Sequence, residues 1–187
     1  VLACLILPNF ISWDAYTSKL SDRLLAPGVN GHLFGTDAQG RDILIRLLIG
    51  GRYSLFIATV TVLATAVIGV ALGVIAGYYG GAVDTAIMRF AEVQSAIPTM
   101  VLAIAIIAIL GNSTFNLIMC LVITRWIGYT RMVRAQVMSI RRNEFISAAK
   151  VLGASPARIM LREVLPNVVT TMIIQVSMGF GGIILTE

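Results

Sequence analysis

The sequence predicts an all-α protein, a polytopic bundle of transmembrane helices, from its composition and from the spacing of its charges. Hydrophobic residues make up 58% of the chain and charged residues 12%, whereas soluble domains have about 45–50% and about 25%. Three stretches, 53–83, 93–124 and 164–186, contain no charged side chain. Because about 20 apolar residues cross the hydrocarbon core of a bilayer, each stretch can hold a spanning helix. The same composition excludes disordered, collagen-like and disulfide-rich chains.

The domain organisation follows from the first polar segment. Residues 1–11 form an apolar run that we interpret as part of a first transmembrane helix. Residues 12–52 are polar and rich in turn-forming residues, and we expect them to be extracytoplasmic. Residues 53–187 form the predicted transmembrane domain. We expect the chain to be a fragment that lacks the start of the first helix and the last helix of the whole protein.

Residues that carry chemistry are sparse. His32 is the only histidine, Cys4 and Cys120 are the only cysteines, and no phosphate-binding GxxxxGK[ST] loop occurs. We therefore expect no metal, no cofactor and no catalytic residue, and we expect that the protein is not an enzyme. The segment 12–52 contains Asp37, Arg41 and Asp42. Local carboxylate–arginine pairing in a structured outer loop explains these residues better than a catalytic or metal-binding group does.

Leu55–Gly77 is predicted as the first complete spanning helix. Gly69, Gly73 and Gly77 recur every four residues within it and therefore share one helix face. Small residues at this spacing allow the backbone of another helix to approach closely. We predict that this face packs against a neighbouring helix.

The stretch 93–124 is too long for one spanning helix, since it would rise about 48 Å against about 30 Å of hydrocarbon. A tight turn is predicted at 111–114, where the sequence reads Gly-Asn-Ser-Thr. We therefore divide the stretch into two helices, Met88–Leu110 and Phe115–Val137. The last visible span is predicted at Asn167–Leu185.

Arg125 falls near the middle of the helix Phe115–Val137. An arginine at the bilayer centre costs about 2.5–3.5 kcal/mol, so Arg125 should face protein or water. Two interpretations stay open, because the side chain either reaches the interface or lies beside a polar pathway through the bundle. Gln175 is polar within the last predicted span and is a second candidate for that pathway.

The basic residues predict the orientation. Eight of the fourteen Lys and Arg residues lie in 125–162, and Lys and Arg are enriched in cytoplasmic loops. Residues 125–166 are therefore expected inside, and the turn at 111–114 and the segment 12–52 outside. The net charge of +5 is then explained by membrane topology. We expect contact with lipid and no binding to nucleic acid.

The segment 138–166 is predicted to hold two short helices on the membrane surface. The first is expected at Glu144–Leu152, and Gly153 ends it. Ser155 caps the second helix, which has Pro156 at its first position. Pro166 is expected to interrupt that helix at the entry to the last span. Spacing alone leaves an ordinary amphipathic surface helix as the alternative.

This segment resembles the EAA loop of permease subunits in binding-protein-dependent ABC importers. The loop reads E-A-A, three residues, G, nine residues, I, one residue and L-P. The positions that match in register are Ala148, Ala149, Gly153, Leu165 and Pro166. Ser147 stands in place of the glutamate and Glu163 in place of the isoleucine.

Three other stretches narrow the resemblance. They read FGTDAQGRDILIRLLIGGRYSL at 34–55, AGYYGG at 76–81 and IPTMVLAIAIIAILG at 97–111. They are similar to the dipeptide/oligopeptide/nickel class, and most similar to its second, C-type permease subunit.

The resemblance implies the type I permease fold of ABC importers, in the cell inner membrane. Six spans are implied for the whole protein, of which four complete ones and one partial one lie in this chain. The implied partners are a second permease subunit in a heterodimer, two cytoplasmic ATPase subunits and an extracytoplasmic solute-binding protein. The residues implied to couple to the ATPase are Glu144, Ser147, Ala148, Ala149, Gly153, Leu165 and Pro166.

The implied function is to form the translocation path for di- or oligopeptides, with Arg125 and Gln175 as candidate path residues. Nickel or another small solute is the alternative cargo. An ion-coupled secondary transporter is a different alternative, and it would favour carboxylates within the spans. Glu92 is the only such candidate, and it lies near a predicted helix end.

Overall fold

The computed structural model describes Cys4 and residues 19–184. These residues form helices and loops, without a β-strand among them, so the predicted all-α class is confirmed. The predicted partial helix at 1–11 lies outside the described residues apart from Cys4. The contacts divide the chain between Ile57 and Ala58 into two compact units, which we describe separately.

In the first unit, residues 19–42 form a structured loop with single 3₁₀ turns at Leu20–Asp22 and Val29–Gly31. Asp37 organises this loop, since its carboxylate accepts hydrogen bonds from the backbone N–H and the Nε of Arg41, both at 3.0 Å. These bonds, the backbone bond from Arg41 foremost, lower the pKa of Asp37 to about 2. The predicted carboxylate–arginine pairing is confirmed.

Helix α1 spans Ile43–Tyr79 and begins well before Leu55, where we predicted the first complete span. The Oδ1 atom of Asp42 accepts the backbone N–H of Ile45 at 3.0 Å, so Asp42 caps the helix N-terminus. The arginines between residues 43 and 52 had led us to assign this stretch to the polar segment.

Helix α2 spans Gly81–Ser95 and helix α3 spans Thr99–Leu110. Their axes are bent by 86° at the break between them, so the predicted continuous helix Met88–Leu110 is wrong. Pro98 explains the break, because proline lacks a backbone N–H and disfavours helical geometry at the residue before it.

Helix α4 spans Thr114–Ile140. The predicted turn at 111–114 is confirmed, because Gly111 adopts a left-handed φ of 83° and α3 ends immediately before it. The hydroxyl of Ser113 accepts the backbone N–H of Asn116 at 3.1 Å and so caps α4.

Helix α5 spans Glu144–Val151 and helix α6 spans Pro156–Ile184. The predicted interruption at Pro166 is wrong, since α6 continues through it. A π-helical turn at Met160–Val164 lies immediately before this proline, and the N–H of Leu165 donates to the carbonyl of Met160. The wider turn includes the residue four positions before Pro166, whose carbonyl would otherwise meet the proline ring.

Within the described residues, α1 and α6 are long and apolar enough to cross a membrane, and the bent pair α2–α3 adds a third candidate if it counts as one span. Helix α4, which we predicted to span, has 27 residues but is not among these candidates. Arg125, Arg131 and Arg134 lie within it.

The second unit has its core where α1, α4 and α6 meet. Val133 and Val137 of α4 are fully buried in this core together with Val164 and Val168 of α6. The glycine face of α1 lies against α4 at the same level. The two helices approach this closely because Gly69, Gly73 and Gly77 have no side chain.

Candidate functional site

Helix α5 is a short helix whose two ends are defined by local signals. Glu144 lies in its first turn and Lys150 in its last turn, and both charges complement the helix dipole. The N–H of Ala154 donates to the carbonyl of Ala149, and the N–H of Gly153 donates to that of Lys150, each at 3.0 Å. These two bonds form a Schellman motif, which requires the left-handed φ of 80° at Gly153.

Ile146 anchors α5 to the rest of the second unit. Its side chain is 0% exposed and belongs to the core cluster that contains Val137 of α4 and Ile159 and Val164 of α6. Ala149 packs against the same cluster. Helix α5 is therefore held to the ends of α4 and α6 by its inner face.

The outer face of α5 and the residues after it form an exposed apolar surface. Phe145 is 43% exposed, and Val151 and Leu152 are 88% and 86% exposed. Ala148 is also exposed and lies on one helix face with Phe145, three residues before it. We call Phe145, Ala148, Val151 and Leu152 the outer surface. Exposed apolar surface of this kind is typical of contact with another protein or with lipid.

The residues implied by the resemblance take different positions in this segment. Glu144, Ser147, Ala148, Gly153 and Pro166 are exposed, whereas Ala149 and Leu165 are half-buried against the core. Sequence reasoning missed Phe145, Val151 and Leu152. A sequence signal for these three residues did exist. Helix α5 has apolar residues on the face that contains Ile146 and also on the opposite face, which a helix packed on one side only does not need.

Polar contacts connect the helices near α5. The Nε and Nη2 of Arg134 in α4 donate to the two carboxylate oxygens of Asp84 in α2. The Nη1 of Arg141 donates to the carbonyl of Tyr79 at 3.4 Å, and the Nζ of Lys150 lies 5.8 Å from the ring centre of Tyr78. The ends of α1, α2 and α4 and the helix α5 are therefore joined in one region. Sequence reasoning did not find these pairs.

A polar cavity of about 180 Å³ lies among α1, α4 and α6. Arg125 and Tyr129 of α4 line it together with Thr65 of α1 and Gln175 of α6. The Nη2 of Arg125 donates to the carbonyl of Gly182 at 3.4 Å. The structure thus brings the two predicted pathway residues, Arg125 and Gln175, to one cavity and places Arg125 against protein, as expected. Thr65 and Tyr129 were not found from the sequence.

The sequence match to a known family covers both of these features. Residues 69–187 match the family described as binding-protein-dependent transport system inner membrane component. The chain belongs to this family. The match includes the glycine face, the cavity residues of α4 and α6, and α5 with its outer surface, whereas Thr65 of the cavity precedes it. It confirms that the chain is a membrane protein.

Curated relatives of this inner membrane component agree with the resemblance found from the sequence. The dipeptide transport system permease protein DppC of Alkalihalophilus pseudofirmus is 40% identical over 99% of the chain and 60% of its own length. The oligopeptide transport system permease protein OppC of Lactococcus lactis is 40% identical over 88% and 56%. OppC of Bacillus subtilis is 32% identical over 100% and 61%. The chain spans about three-fifths of the length of these relatives. The predicted likeness to the C-type subunit is confirmed.

Proposed function

We propose that the chain is the membrane-spanning part of a C-type permease subunit in an ATP-driven importer of di- and oligopeptides. Support comes from the family and from the names of relatives at 32–40% identity. The protein then provides the path through the membrane and is not itself an enzyme. ATP hydrolysis belongs to two cytoplasmic ATPase subunits, and a solute-binding protein delivers the cargo from the outside.

The outer surface of α5 is the observation that carries this proposal. It is apolar and exposed, and it lies on a helix whose opposite face is anchored by a fully buried isoleucine. We assign the ATPase to this surface, with α5 on the cytoplasmic side of the inner membrane. A push on α5 is then passed to α4 and α6 through Ile146, because a packed core transmits displacement instead of absorbing it.

The continuity of α6 supports the same assignment. Ser155 accepts the N–H of Arg158 at 3.4 Å and starts this helix directly after α5, and the helix continues to Ile184. A movement of α5 therefore reaches the residues beside the polar cavity along a single helix. This provides the mechanical link that a two-state transporter needs between its ATPase and its path.

The remaining parts of the proposal concern the whole assembly. We propose a multi-pass subunit that forms a heterodimer with a second permease subunit. The cavity lined by Arg125 and Gln175 is proposed to be part of the translocation path. Di- and oligopeptides are the proposed cargo, because the relatives are named for their transport.

The test replaces Leu152 with aspartate in the full-length subunit, co-expressed with its importer partners. Leu152→Asp should reduce the ATPase recovered with the purified permease by about tenfold or more, as expected for an interface hot spot. Leu20→Asp is the matched control, since Leu20 is 79% exposed in the segment proposed to face outside. Equal ATPase recovery with both variants would overturn the assignment.

A further inference from the structure

We propose that the polar cavity beside Arg125 binds a carboxylate group of the cargo during its passage. This inference rests on the proposed function, because it assigns a chemical role to one position on the proposed path. It goes beyond that function by naming the chemical group recognised and the side chains that recognise it, which are Arg125 and Thr65.

Arg125 gives the cavity a group that binds anions. It lines the cavity from α4, and its guanidinium has five N–H donors, of which one on Nη2 reaches the carbonyl of Gly182. In a site surrounded by apolar helices, an ionised group is retained for a function, and a guanidinium pairs best with a carboxylate or a phosphate. Cargo peptides have a carboxylate at their C-terminus.

An unpartnered hydroxyl is the second and independent observation. Thr65 is 1% exposed and lines the cavity, and its Oγ1 has no hydrogen-bond partner among the residues that the structure describes. A buried polar group without a partner costs free energy, so its retention at a cavity wall is explained if a ligand supplies the partner. A hydroxyl donates readily to a carboxylate oxygen.

The size of the cavity sets what can bind there. About 180 Å³ is less than the roughly 300 Å³ at which pockets for whole small molecules begin. It accommodates one end of a peptide. Gly179 of α6 keeps this space open, because a Cβ there would lie 2.5 Å from the hydroxyl oxygen of Tyr129 and would displace that ring.

Thr61 provides a matched control one turn before Thr65. It is also fully buried in α1, and its hydroxyl likewise has no partner within the described part of the chain. Unlike Thr65, it is not among the residues that line the cavity. Replacement of either threonine by valine keeps the shape and removes an unsatisfied group, so neither change should weaken the fold.

The first measurement uses the assembled importer with the full-length subunit, in which Cys4 and Cys120 are replaced by serine and Thr65 by cysteine. Two methanethiosulfonate reagents of similar size are compared, one with a sulfonate and one with a trimethylammonium group. The anionic reagent should react at least about threefold faster than the cationic one, because Arg125 sets the local potential. Arg125→Lys should keep this ratio and Arg125→Gln should abolish it.

A dipeptide with a free C-terminus should slow the labelling, and the same dipeptide with an amidated C-terminus should not. Equal protection by both peptides, a ratio that Arg125→Gln leaves unchanged, or no labelling of the Thr65→Cys variant would overturn the inference. The labelling ratio does not depend on transport. Failure of the inference is therefore distinguishable from failure of the proposed function, which would appear as no ATP-dependent peptide uptake by the wild-type complex.

The second measurement is peptide uptake by the valine variants. Thr65→Val should raise the KM for peptide by about tenfold, which is the expected effect of losing one hydrogen bond to a charged group, while the thermal midpoint stays equal or rises. Thr61→Val should change neither quantity. An equal KM for both variants would contradict the assignment of Thr65.

Discussion

Gly73 of α1 lies directly against Val133 of α4, and a Cβ atom added to Gly73 would come within 2.7 Å of the Val133 Cβ. The same relationship is repeated one turn later, where Gly77 faces Val137 at 2.7 Å, and one turn earlier, where Gly69 faces Tyr129. Because both sets recur every four residues, the two helices are in contact along a continuous stripe. This stripe holds α4, and with it the polar cavity and the anchor of α5, against α1.

We expect Gly73→Ala to destabilise the subunit by about 1–3 kcal/mol, because the added methyl group must push the two backbones apart. The measurement is thermal unfolding of the purified complex. Gly50→Ala is the control on the same helix, since a Cβ at Gly50 meets no described atom within 4 Å. Alanine favours a helix over glycine, so this control should be neutral or stabilising. Equal loss of stability in both variants would contradict close packing at Gly73.

We expect Gly153→Asp to weaken binding of the ATPase without blocking membrane insertion. The aspartate adds a negative charge at the C-terminal end of α5, where the helix dipole disfavours it, and a side chain at a left-handed φ. Gly153→Asn is the matched variant of nearly the same shape, and asparagine tolerates this φ. It should keep more of the ATPase in co-purification than Gly153→Asp does. An undiminished yield of ATPase with aspartate would count against this role of Gly153.

The pair of Asp84 and Arg134 should contribute to stability, because both of its side chains are half-buried. Removal of one partner by Asp84→Asn should cost up to about 3 kcal/mol, since it leaves a half-buried charge unpaired. Glu92→Gln serves as the control, because the pair of Arg89 and Glu92 is exposed and such pairs contribute at most about 1 kcal/mol. The free energy of unfolding of both variants is measured by denaturation. A similar small loss of stability in both would show that the pair of Asp84 and Arg134 does not join α2 to α4.

The loop around Asp37 should lose its order in acid. Its pKa falls from the ordinary value of 3.8 to about 2 in the folded loop, so the folded form binds the proton more weakly than the unfolded form. The stabilising contribution is therefore complete above pH 3.8 and is lost as the pH falls towards 2. Amide exchange at Arg41, corrected for its intrinsic pH dependence, should show reduced protection in this range. In Asp37→Asn, protection should be low and independent of pH, and an unchanged acid dependence in this variant would contradict the assignment.

Local signals explain what could be predicted from the sequence. The ends of α5, the cap at Ser155 and the turn at 111–114 depend on neighbours within a few residues, and all of them were found. The glycine spacing identified the face of α1 that packs, although it could not name Val133 as the residue opposite Gly73. The family was also identified, since the motifs at 34–55 and 144–166 are specific to it.

The errors came from competing local signals and from contacts distant in sequence. The helix start at Asp42 was missed because Arg46 and Arg52 made the first turns of α1 appear polar. Pro98 broke a helix that hydropathy alone had made continuous. Pro166 did not break α6, because a π-helical turn precedes this proline. The position of such a turn could not be inferred from residue types.

The cavity and the ion pairs could not be predicted because they join residues far apart in the chain. Asp84 and Arg134 are 50 positions apart, and Arg125 meets Gly182 over 57 positions. No local pattern encodes such distances. Arg125 and Gln175 were singled out only because each is polar in an apolar helix, which suggested a common pathway without showing that they share one cavity.

The central claim is that α5 receives the ATPase, and site-directed crosslinking tests it most directly. A cysteine introduced in place of Val151, whose side chain is 88% exposed, is paired with cysteines introduced over the surface of the ATPase in the assembled importer. We expect Val151→Cys to crosslink to the ATPase with a yield that changes between the ATP-bound and nucleotide-free states, and Leu20→Cys not to crosslink. Labelling of the Val151→Cys variant by a membrane-impermeant thiol reagent from outside intact cells, with no crosslink to the ATPase in either state, would contradict the account.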